Sequence, residues 1–321
     1  MSKRVLIIDQ LNMFFRAYIV DPSLSENGQP IGGLKGTLKI LQKQLRESNP
    51  DRIVICWDGA GGSKKRRAMN KDYKGSRRPI RLNRDIRNLS ESEEIQNKIW
   101  QQTRLIEYFN HMPVTQIMLP DIEADDVIAY ACQISALKGD QKLIVSSDKD
   151  FYQLLDNETV LYRPIQKEFL NKNSIIEKFG IHPNNMTIAR AMAGDKSDNL
   201  EGIGGCGLAT VSRRFPFLKE EKSYTLTEVL DYSKEMLEDH KLKVFENLVE
   251  KQDTFVKNYK IMQLYSPSIS PGAKQTIRSS ITDVDLQLNK TAIRKMMIED
   301  GFIDYNWSSL FQSLNKVCFT K

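Results

Sequence analysis

Acidic residues stand directly behind a series of short apolar segments, and this pattern restricts the fold more than any other feature of the sequence. Four such segments read as buried strands without polar alternation: 4–8, 53–57, 114–118 and 142–146. Continuous apolar strands of this kind are typical of a parallel sheet covered on both faces. Predicted helices separate them, so we expect an α/β fold with a mainly parallel central sheet flanked by helices.

The predicted helices carry the usual signals. Leucines from Leu34 to Leu45 recur at helical spacing, and residues 123–137 are also predicted to be helical. Ser90 and Glu93 form a capping box for a helix whose apolar face would hold four residues. These are Ile95, Ile99, Ile106 and Phe109.

The second part of the chain is predicted to be helical. We expect an α/β domain over 1–181, with a basic segment at 60–89, and a helical C-terminal domain over 182–321. Apolar positions from Leu242 to Tyr259 predict one long amphipathic helix, and two shorter helices are expected around 293–297 and 310–317. A chain of 321 residues is long enough for this division.

Carboxylates are expected to collect at one edge of the sheet, because the carboxyl ends of parallel strands meet there. The acids that follow the strands are Asp9, Asp58, Glu123, Asp125, Asp126, Asp148 and Asp150. Asp195 and Asp198 could join them from the helical part. A single acid behind a strand is usually a helix cap, but so many acids repel one another unless a cation is bound. Oxygen ligands without histidine or cysteine favour Mg²⁺ or Mn²⁺, and two such ions suit phosphodiester hydrolysis.

Positive charge is concentrated in residues 64–87, which hold eleven basic and two acidic residues. The net charge of this segment is therefore +9, against +6 for the whole chain, so the remainder sums to −3. The segment could be a solvated loop, but a block this basic that also contains Tyr73 favours a nucleic-acid partner. We expect few counter-ions for it within the protein, and mobility until a polyanion binds.

The glycines Gly202, Gly204 and Gly207 match the spacing of a dinucleotide-binding loop. That motif requires a preceding strand, and residues 195–201 do not read as one. We therefore predict a helix–hairpin–helix motif at about 190–215, whose backbone amides could approach a phosphate.

Other features exclude several classes of protein. No apolar run approaches the ~20 residues of a membrane span, and the N-terminus lacks a signal-peptide core, so a cytoplasmic location is expected. Four widely spaced cysteines and three histidines predict neither a disulfide framework nor a zinc site.

Five ordered motifs resemble the 5′-nuclease superfamily, which includes flap endonucleases, the 5′-exonuclease domain of bacterial DNA polymerase I and phage 5′-3′ exonucleases of the T-even ribonuclease H type. They lie at 8–18, 57–59, 122–127, 147–151 and 194–204. The resemblance implies divalent-metal-dependent cleavage at 5′ ends and flaps of DNA or RNA in duplexes, and removal of RNA primers in phage replication. It also implies a basic helical arch at 60–89.

The resemblance further implies roles for the acids. Asp58, Glu123, Asp125 and Asp148 would hold one Mg²⁺, for which Mn²⁺ could substitute. Asp150 and Asp198, with Asp195 nearby, would hold a second ion, and Asp9 would act through water. Asp126 matches an acid of the family motif but lies on another side of its helix.

The same resemblance implies which residues contact the substrate. Lys74 would stabilise developing negative charge, with help from Arg66 or Arg67. Nucleic-acid contacts would come from three places: Phe15 and Arg16, the arch residues Tyr73, Arg77, Arg78 and Arg81, and the hairpin glycines Gly202, Gly204 and Gly207. The hairpin of relatives often carries K⁺ and a lysine, but this chain has Cys206 and Leu208 around Gly207 and lacks that lysine.

Two alternatives stay open at this point. One is a PIN-type ribonuclease acting on single-stranded RNA, and the other is a structure-specific DNA-binding protein without catalysis. For the leading hypothesis we expect a monomer that binds DNA and RNA/DNA duplexes, and replication partners such as a single-strand-binding protein or a clamp.

Overall fold

The computed structural model describes residues 2–77, 79–86, 89–239, 242–267, 269–282, 286–302 and 304–318. A six-stranded sheet lies at its centre, in the order β3-β2-β1-β4-β5-β6. The strands are β1 (Arg4–Asp9), β2 (Arg52–Trp57), β3 (Thr115–Met118), β4 (Gln141–Val145), β5 (Thr159–Arg163) and β6 (Glu168–Leu170). The first five are parallel and β6 pairs antiparallel with β5, which confirms the predicted mainly parallel sheet.

The strand order determines where a ligand-binding crevice lies on the sheet. The chain moves outward from β1 to β2 and β3, then crosses back to β4 on the other side of β1. Since crossovers run in opposite directions from β1 and β4, a crevice opens beyond their carboxyl ends, where open α/β sheets bind ligands. Asp9 and Asp148 lie at or just beyond these two strand ends.

Fourteen helices are found in the described part of the chain, together with short 3₁₀ turns. In the α/β part they are α1 (Gln10–Val20), α2 (Gly32–Ser48), α3 (Lys64–Met69), α4 (Glu91–Asn110), α5 (Ala124–Gln133) and α6 (Lys172–Phe179). The later ones are α7 (Pro183–Ala193), α8 (Leu208–Arg214), α9 (Leu226–Asp239), α10 (Lys243–Glu250), α11 (Gln252–Met262), α12 (Pro271–Thr282), α13 (Lys290–Glu299) and α14 (Trp307–Cys318).

Successive residues of each strand contribute alternately to two hydrophobic cores, one on each face of the sheet. Val5 and Ile7 pack on the face covered by α5 and α7, while Leu6 and Ile8 face α1, α2 and α4. Both sets are almost completely buried, as expected for a sheet covered on both sides.

The last helices pack back onto the α/β part. Ile277 of α12 belongs to the first core, and Leu310 and Leu314 of α14 belong to the second. The division at residue 181 stays a prediction, and residues 271–318 contribute to the cores of the predicted N-terminal domain.

Three local predictions were wrong. The capping box of Ser90 and Glu93 is present, but α4 buries Leu105, Tyr108 and Phe109 while Ile95 and Ile99 are exposed. In this half of α4 the side that contacts the protein is polar instead: the Asn97 side chain donates to the Pro30 carbonyl (3.0 Å), and Gln101 accepts from the Leu34 N–H (2.9 Å).

The predicted long helix from Leu242 is two helices, α10 and α11, which meet at Lys251. The third concerns Pro267, Pro271 and Gly272, which predict a break in the chain, whereas Pro271 starts α12. Proline suits the first turn of a helix, where its missing N–H is not needed.

Among the described ranges, no helix is both long and apolar enough to cross a membrane.

Candidate active site

Asp9 lies at the end of β1 and caps α1. Its carboxylate accepts hydrogen bonds from the Asn12 backbone N–H (3.3 Å) and the Ser146 hydroxyl (2.8 Å). The Asn12 side chain in turn accepts from the Ser147 N–H at 3.0 Å. Asp9 and Asn12 thus bind the loop after β4 to the end of β1. Asn12 and Ser146 were not predicted from the sequence.

The loops after β2 and β3 approach each other at Gly59. A β-carbon on Gly59 would lie 1.6 Å from the Leu119 carbonyl oxygen, so only glycine fits there. This approach allows the exposed Asp58 carboxylate to accept a hydrogen bond from the Ala124 N–H (2.7 Å), at the start of α5. Glu123 and Asp125 also lie at this helix start, as predicted.

The loop after β4 supplies the next pair of acids. The Asp150 N–H donates to the Asp148 Oδ1 at 2.8 Å, and the Asp148 N–H donates to the Ser146 hydroxyl at 3.1 Å. These hydrogen bonds fix the two carboxylates relative to Asp9.

Electrostatics show how closely the acids are grouped. Burial, with the charges of Asp58 and Asp148, raises the pKa of Asp9 to about 7. Burial and the charge of Asp148 raise the pKa of Asp125 well above its ordinary value. The Asp125 carboxylate accepts no hydrogen bond within the described part of the chain. Buried carboxylates of this kind require a positive charge to remain ionised.

Basic residues of the arch (residues 60–89) supply part of that charge. Lys74 Nζ lies 2.5 Å from Glu123 Oε1, and Arg66 also pairs with Glu123. Arg77 pairs with Asp198 at 2.5 Å. Although burial favours its neutral form, the charges of Arg66 and Lys74 lower the pKa of Glu123.

The expectation that the arch has few counter-ions in the protein was therefore wrong. Further pairs join Lys64 to Asp121, and Arg81 to Glu91 and Glu94. The sequence did not show these pairs, because the acids concerned lie outside the basic segment and reach it only in the folded chain.

Arg66 and Asp126 form a buried bidentate ion pair, with both N···O distances at 3.0 Å. The Arg66 Nε also donates to the Ile261 carbonyl at 3.0 Å. Both carboxylate oxygens of Asp126 are thus occupied by Arg66, and a role of Asp126 as a metal ligand stays a prediction. Arg66 is enclosed by protein, whereas Arg67 beside it is exposed.

A buried arginine also belongs to this site, and the sequence gave no signal for it. Arg190 of α7 is buried, and its Nη2 lies 2.5 Å from Asp150 and 2.9 Å from Asp195. Asp195 also accepts from the backbone and hydroxyl of Ser197. The helical part thus joins the acidic cluster through Arg190, Asp195 and Asp198.

The predicted nucleic-acid contacts lie at several places. Phe15 and Arg16 are half-buried side by side on α1, and burial lowers the pKa of Arg16. Tyr73 is 3% exposed and packs with Leu200 and Met262, so its ring is not available for stacking in this structure. Arg78 lies outside the described residues.

The hairpin follows α7 and precedes α8, so no strand leads into it and the dinucleotide motif is excluded. A β-carbon on Gly202 would lie 2.2 Å from the Ala193 carbonyl oxygen, so this glycine serves close packing. A β-carbon on Gly207 would meet open space, and Gly204 accepts from the Asn247 side chain through its carbonyl (2.9 Å). The nucleic-acid role of these glycines stays a prediction.

Carboxylate oxygens are the ligands that hard divalent ions prefer. The buried Asp9 and the half-buried Asp125 and Asp148 repel one another and fit such an ion. Within the described ranges, no three acidic, histidine or cysteine side chains already form a ligand set. Several of the acids are paired with Arg66, Lys74, Arg77 and Arg190 instead.

Known proteins are similar to this chain in sequence and in fold. The family described as the 5′-3′ exonuclease, N-terminal resolvase-like domain, matches residues 4–180. A 5′-3′ exonuclease of Aquifex aeolicus is 30% identical over 211 residues, which cover 65% of this chain and 67% of that protein. The thermostable DNA polymerase I of Thermus thermophilus is 28% identical over 65% of this chain, but only 23% of its own length is matched.

Among solved structures, the T5 D15 protein co-crystallised with metal ions superposes with a TM-score of 0.63 at 16% identity, covering 93% of this chain and 98% of that one. Flap endonuclease-1 from Methanococcus jannaschii gives 0.57 at 13% identity, covering 100% and 94%. These two show a common fold.

The mainly parallel sheet has acids gathered at its switch point, and the 5′-3′ exonuclease relatives show that the enzyme belongs to the nuclease class. The family match is more specific: this chain belongs to the 5′-3′ exonuclease family.

Proposed function

We propose that this protein is a divalent-metal-dependent 5′-3′ exonuclease that also cuts 5′ flaps in DNA and RNA/DNA duplexes, with primer removal as its role in replication. The observation that carries this proposal is the acidic cluster at the switch point, with the basic arch paired to it. The family membership favours it over a PIN-type ribonuclease or a non-catalytic binder.

Asp58, Glu123, Asp125 and Asp148 would hold one Mg²⁺, with Asp9 acting through water, and Asp150, Asp195 and Asp198 would hold a second. When bound, such ions activate a water molecule and stabilise the leaving oxygen of a phosphodiester. The T5 D15 protein was crystallised with metal ions and in a complex with DNA, which supports both parts of the proposal. K⁺ at the hairpin and a replication partner stay predictions.

A panel of 5′-labelled substrates tests the proposal directly. Flap, nicked and primer–template duplexes with DNA or RNA 5′ strands are incubated with Mg²⁺ or with EDTA. We expect short 5′ products in Mg²⁺ and none in EDTA. Cleavage that survives EDTA, or that starts from 3′ ends, would overturn the proposal.

Lys74→Ala is expected to slow chemistry far more than it weakens binding. Lys74 lies against Glu123 and is partly buried, so it is placed to meet charge that develops on the phosphate rather than to attract distant substrate. Removing one such donor lowers the single-turnover rate by about 10²–10³-fold. Rates and affinities are measured separately, in Mg²⁺ and in Ca²⁺.

Lys71→Ala is the matched control for Lys74, because Lys71 is an exposed lysine of the same arch. We expect it to retain the wild-type rate of the bound complex. A Lys74→Ala variant that loses only affinity would make Lys74 an ordinary phosphate contact.

The salt dependence of binding should report on the exposed arch. Arg67 and Lys71 are both exposed, so replacing both with Gln should flatten the plot of log affinity against log salt. The expected change is up to about 0.9 per lost duplex-phosphate contact. Binding is followed by fluorescence polarisation in Ca²⁺.

The paired replacement Lys3→Gln and Lys138→Gln removes the same charge at the opposite edge of the sheet, before β1 and β4. It should leave the slope unchanged. Equal slopes for all three proteins would mean that the arch does not touch the nucleic acid.

A further inference from the structure

Arg190 is a buried cation inside the acidic cluster. Its side chain is 7% exposed, and one nitrogen, Nη2, contacts both Asp150 Oδ1 (2.5 Å) and Asp195 Oδ2 (2.9 Å). We propose that Arg190 is a resident positive charge of the second ion position, so that the site binds one divalent ion tightly and the second far more weakly. This inference rests on the proposed metal-dependent function.

The cluster divides into two halves by the charge that each receives from the protein. Of the acids proposed for the first ion, Asp58, Asp125 and Asp148 form no ion pair within the described residues, and neither does Asp9. Glu123 differs from them, because Lys74 and Arg66 pair with it. The acids proposed for the second ion all have a basic partner. Arg190 pairs with both Asp150 and Asp195, and Arg77 pairs with Asp198. Three carboxylates against two guanidinium groups leave a single negative charge for an arriving ion in this half.

Arg77 and Arg190 differ in how easily their side chains can move away from the acids with which they pair. The Arg77 side chain is 49% exposed and belongs to the arch, so it can turn towards a phosphate group. Arg190 comes from α7, a helix whose residues are mostly buried, and α7 packs against the turn that carries Asp150. The Thr187 hydroxyl donates to the Gln153 side chain (2.8 Å), and Gln153 donates to the Asp150 carbonyl (2.8 Å).

The charge of Arg190 therefore remains in place when an ion arrives. A unit charge a few ångströms from a divalent ion is strongly unfavourable, even with the effective dielectric constant of a protein surface. A guanidinium group does not lose its proton in proteins, so Arg190 cannot become neutral to accommodate the ion. The first ion position, where three of the four proposed ligands have no basic partner among the described residues, is then filled first.

Calcium titration by calorimetry and manganese counting by electron paramagnetic resonance test this without any substrate. For the wild-type protein we expect one tight ion and a second that binds at least about ten-fold more weakly. Arg190→Met removes the charge but keeps much of the side-chain volume, and the second ion should then bind roughly ten-fold more tightly. Arg190→Lys keeps the charge and should resemble the wild type.

Arg104→Met is the matched control. Arg104 is also shielded and pairs with Glu299 and Asp300, but it lies between α4 and α13, far from the cluster. It should lose stability without changing the affinity of either ion.

Two equal affinities in the wild-type protein would overturn the inference, even if Arg190→Met did not fold. So would an unchanged or weaker second ion in Arg190→Met, which would make Arg190 only a support for Asp150. Binding of no ion at all would overturn the proposed function as well, whereas two ions that are insensitive to Arg190 would overturn this inference alone.

Discussion

Asp148→Asn should abolish cleavage while the protein still folds and binds a flap substrate. The asparagine keeps the Oδ1 that accepts from the Asp150 N–H (2.8 Å), so the loop after β4 retains its shape. It loses the charge that the proposed ion requires. The loss should approach the several kcal/mol that metal ions contribute to such transition states, or at least about 10³-fold in single-turnover rate.

Circular dichroism and binding in Ca²⁺ accompany the rate measurement, so that lost cleavage can be separated from lost structure. Asp156→Asn is the matched control: Asp156 accepts from the N–H groups of Glu158 and Thr159 in the turn before β5, away from the cluster. It should cleave normally. Near-normal cleavage by Asp148→Asn would contradict the metal assignment.

Arg66→Met should cost the protein about 3–5 kcal/mol of unfolding free energy, the usual effect of removing one partner from a buried ion pair. Arg66 connects its own helix α3 to the start of α5, through Glu123 and Asp126, and to the Ile261 carbonyl of α11. Without it, two buried carboxylates lose a shared counter-ion. Urea unfolding followed by circular dichroism measures the loss.

Arg67→Met provides the comparison, since Arg67 is the next residue of the same helix and is exposed. We expect its unfolding free energy to change by no more than about 0.5 kcal/mol. If the two variants were equally stable, the ion pairs of Arg66 would contribute nothing measurable, and the link between the arch and α5 would not be structural.

The sequence predicted best where a pattern is local. The strands β1, β2 and β4 lie within one residue of the predicted segments, because their apolar runs have no polar alternation and polar residues end them. The capping box of α4 is likewise a contact between neighbours, Ser90 and Glu93. The buried face of α4 was predicted less well. Ile95 and Ile99 have helical spacing, but both are exposed to solvent.

The position of the acidic cluster could also be predicted from the sequence. A parallel sheet places its carboxyl ends at one edge whatever its loops do, so the acids behind β1, β2 and β4 could be assigned to one place from their order alone. The resemblance to 5′-nucleases then divided them between two ions. Neither argument contained Arg190, since a single arginine on an apolar helix carries no local signal.

The sequence by itself determined the class of fold, the edge at which the acids collect and the presence of a basic segment able to meet them, because these follow from the order of residues along the chain. Only the tertiary structure decided which cation pairs with which acid. Arg66 and Glu123, or Arg190 and Asp150, are far apart in the sequence and meet only when α3, α5 and α7 have packed around the sheet. Burial then gives these pairs their strength, and burial is a property of the packed molecule rather than of any segment.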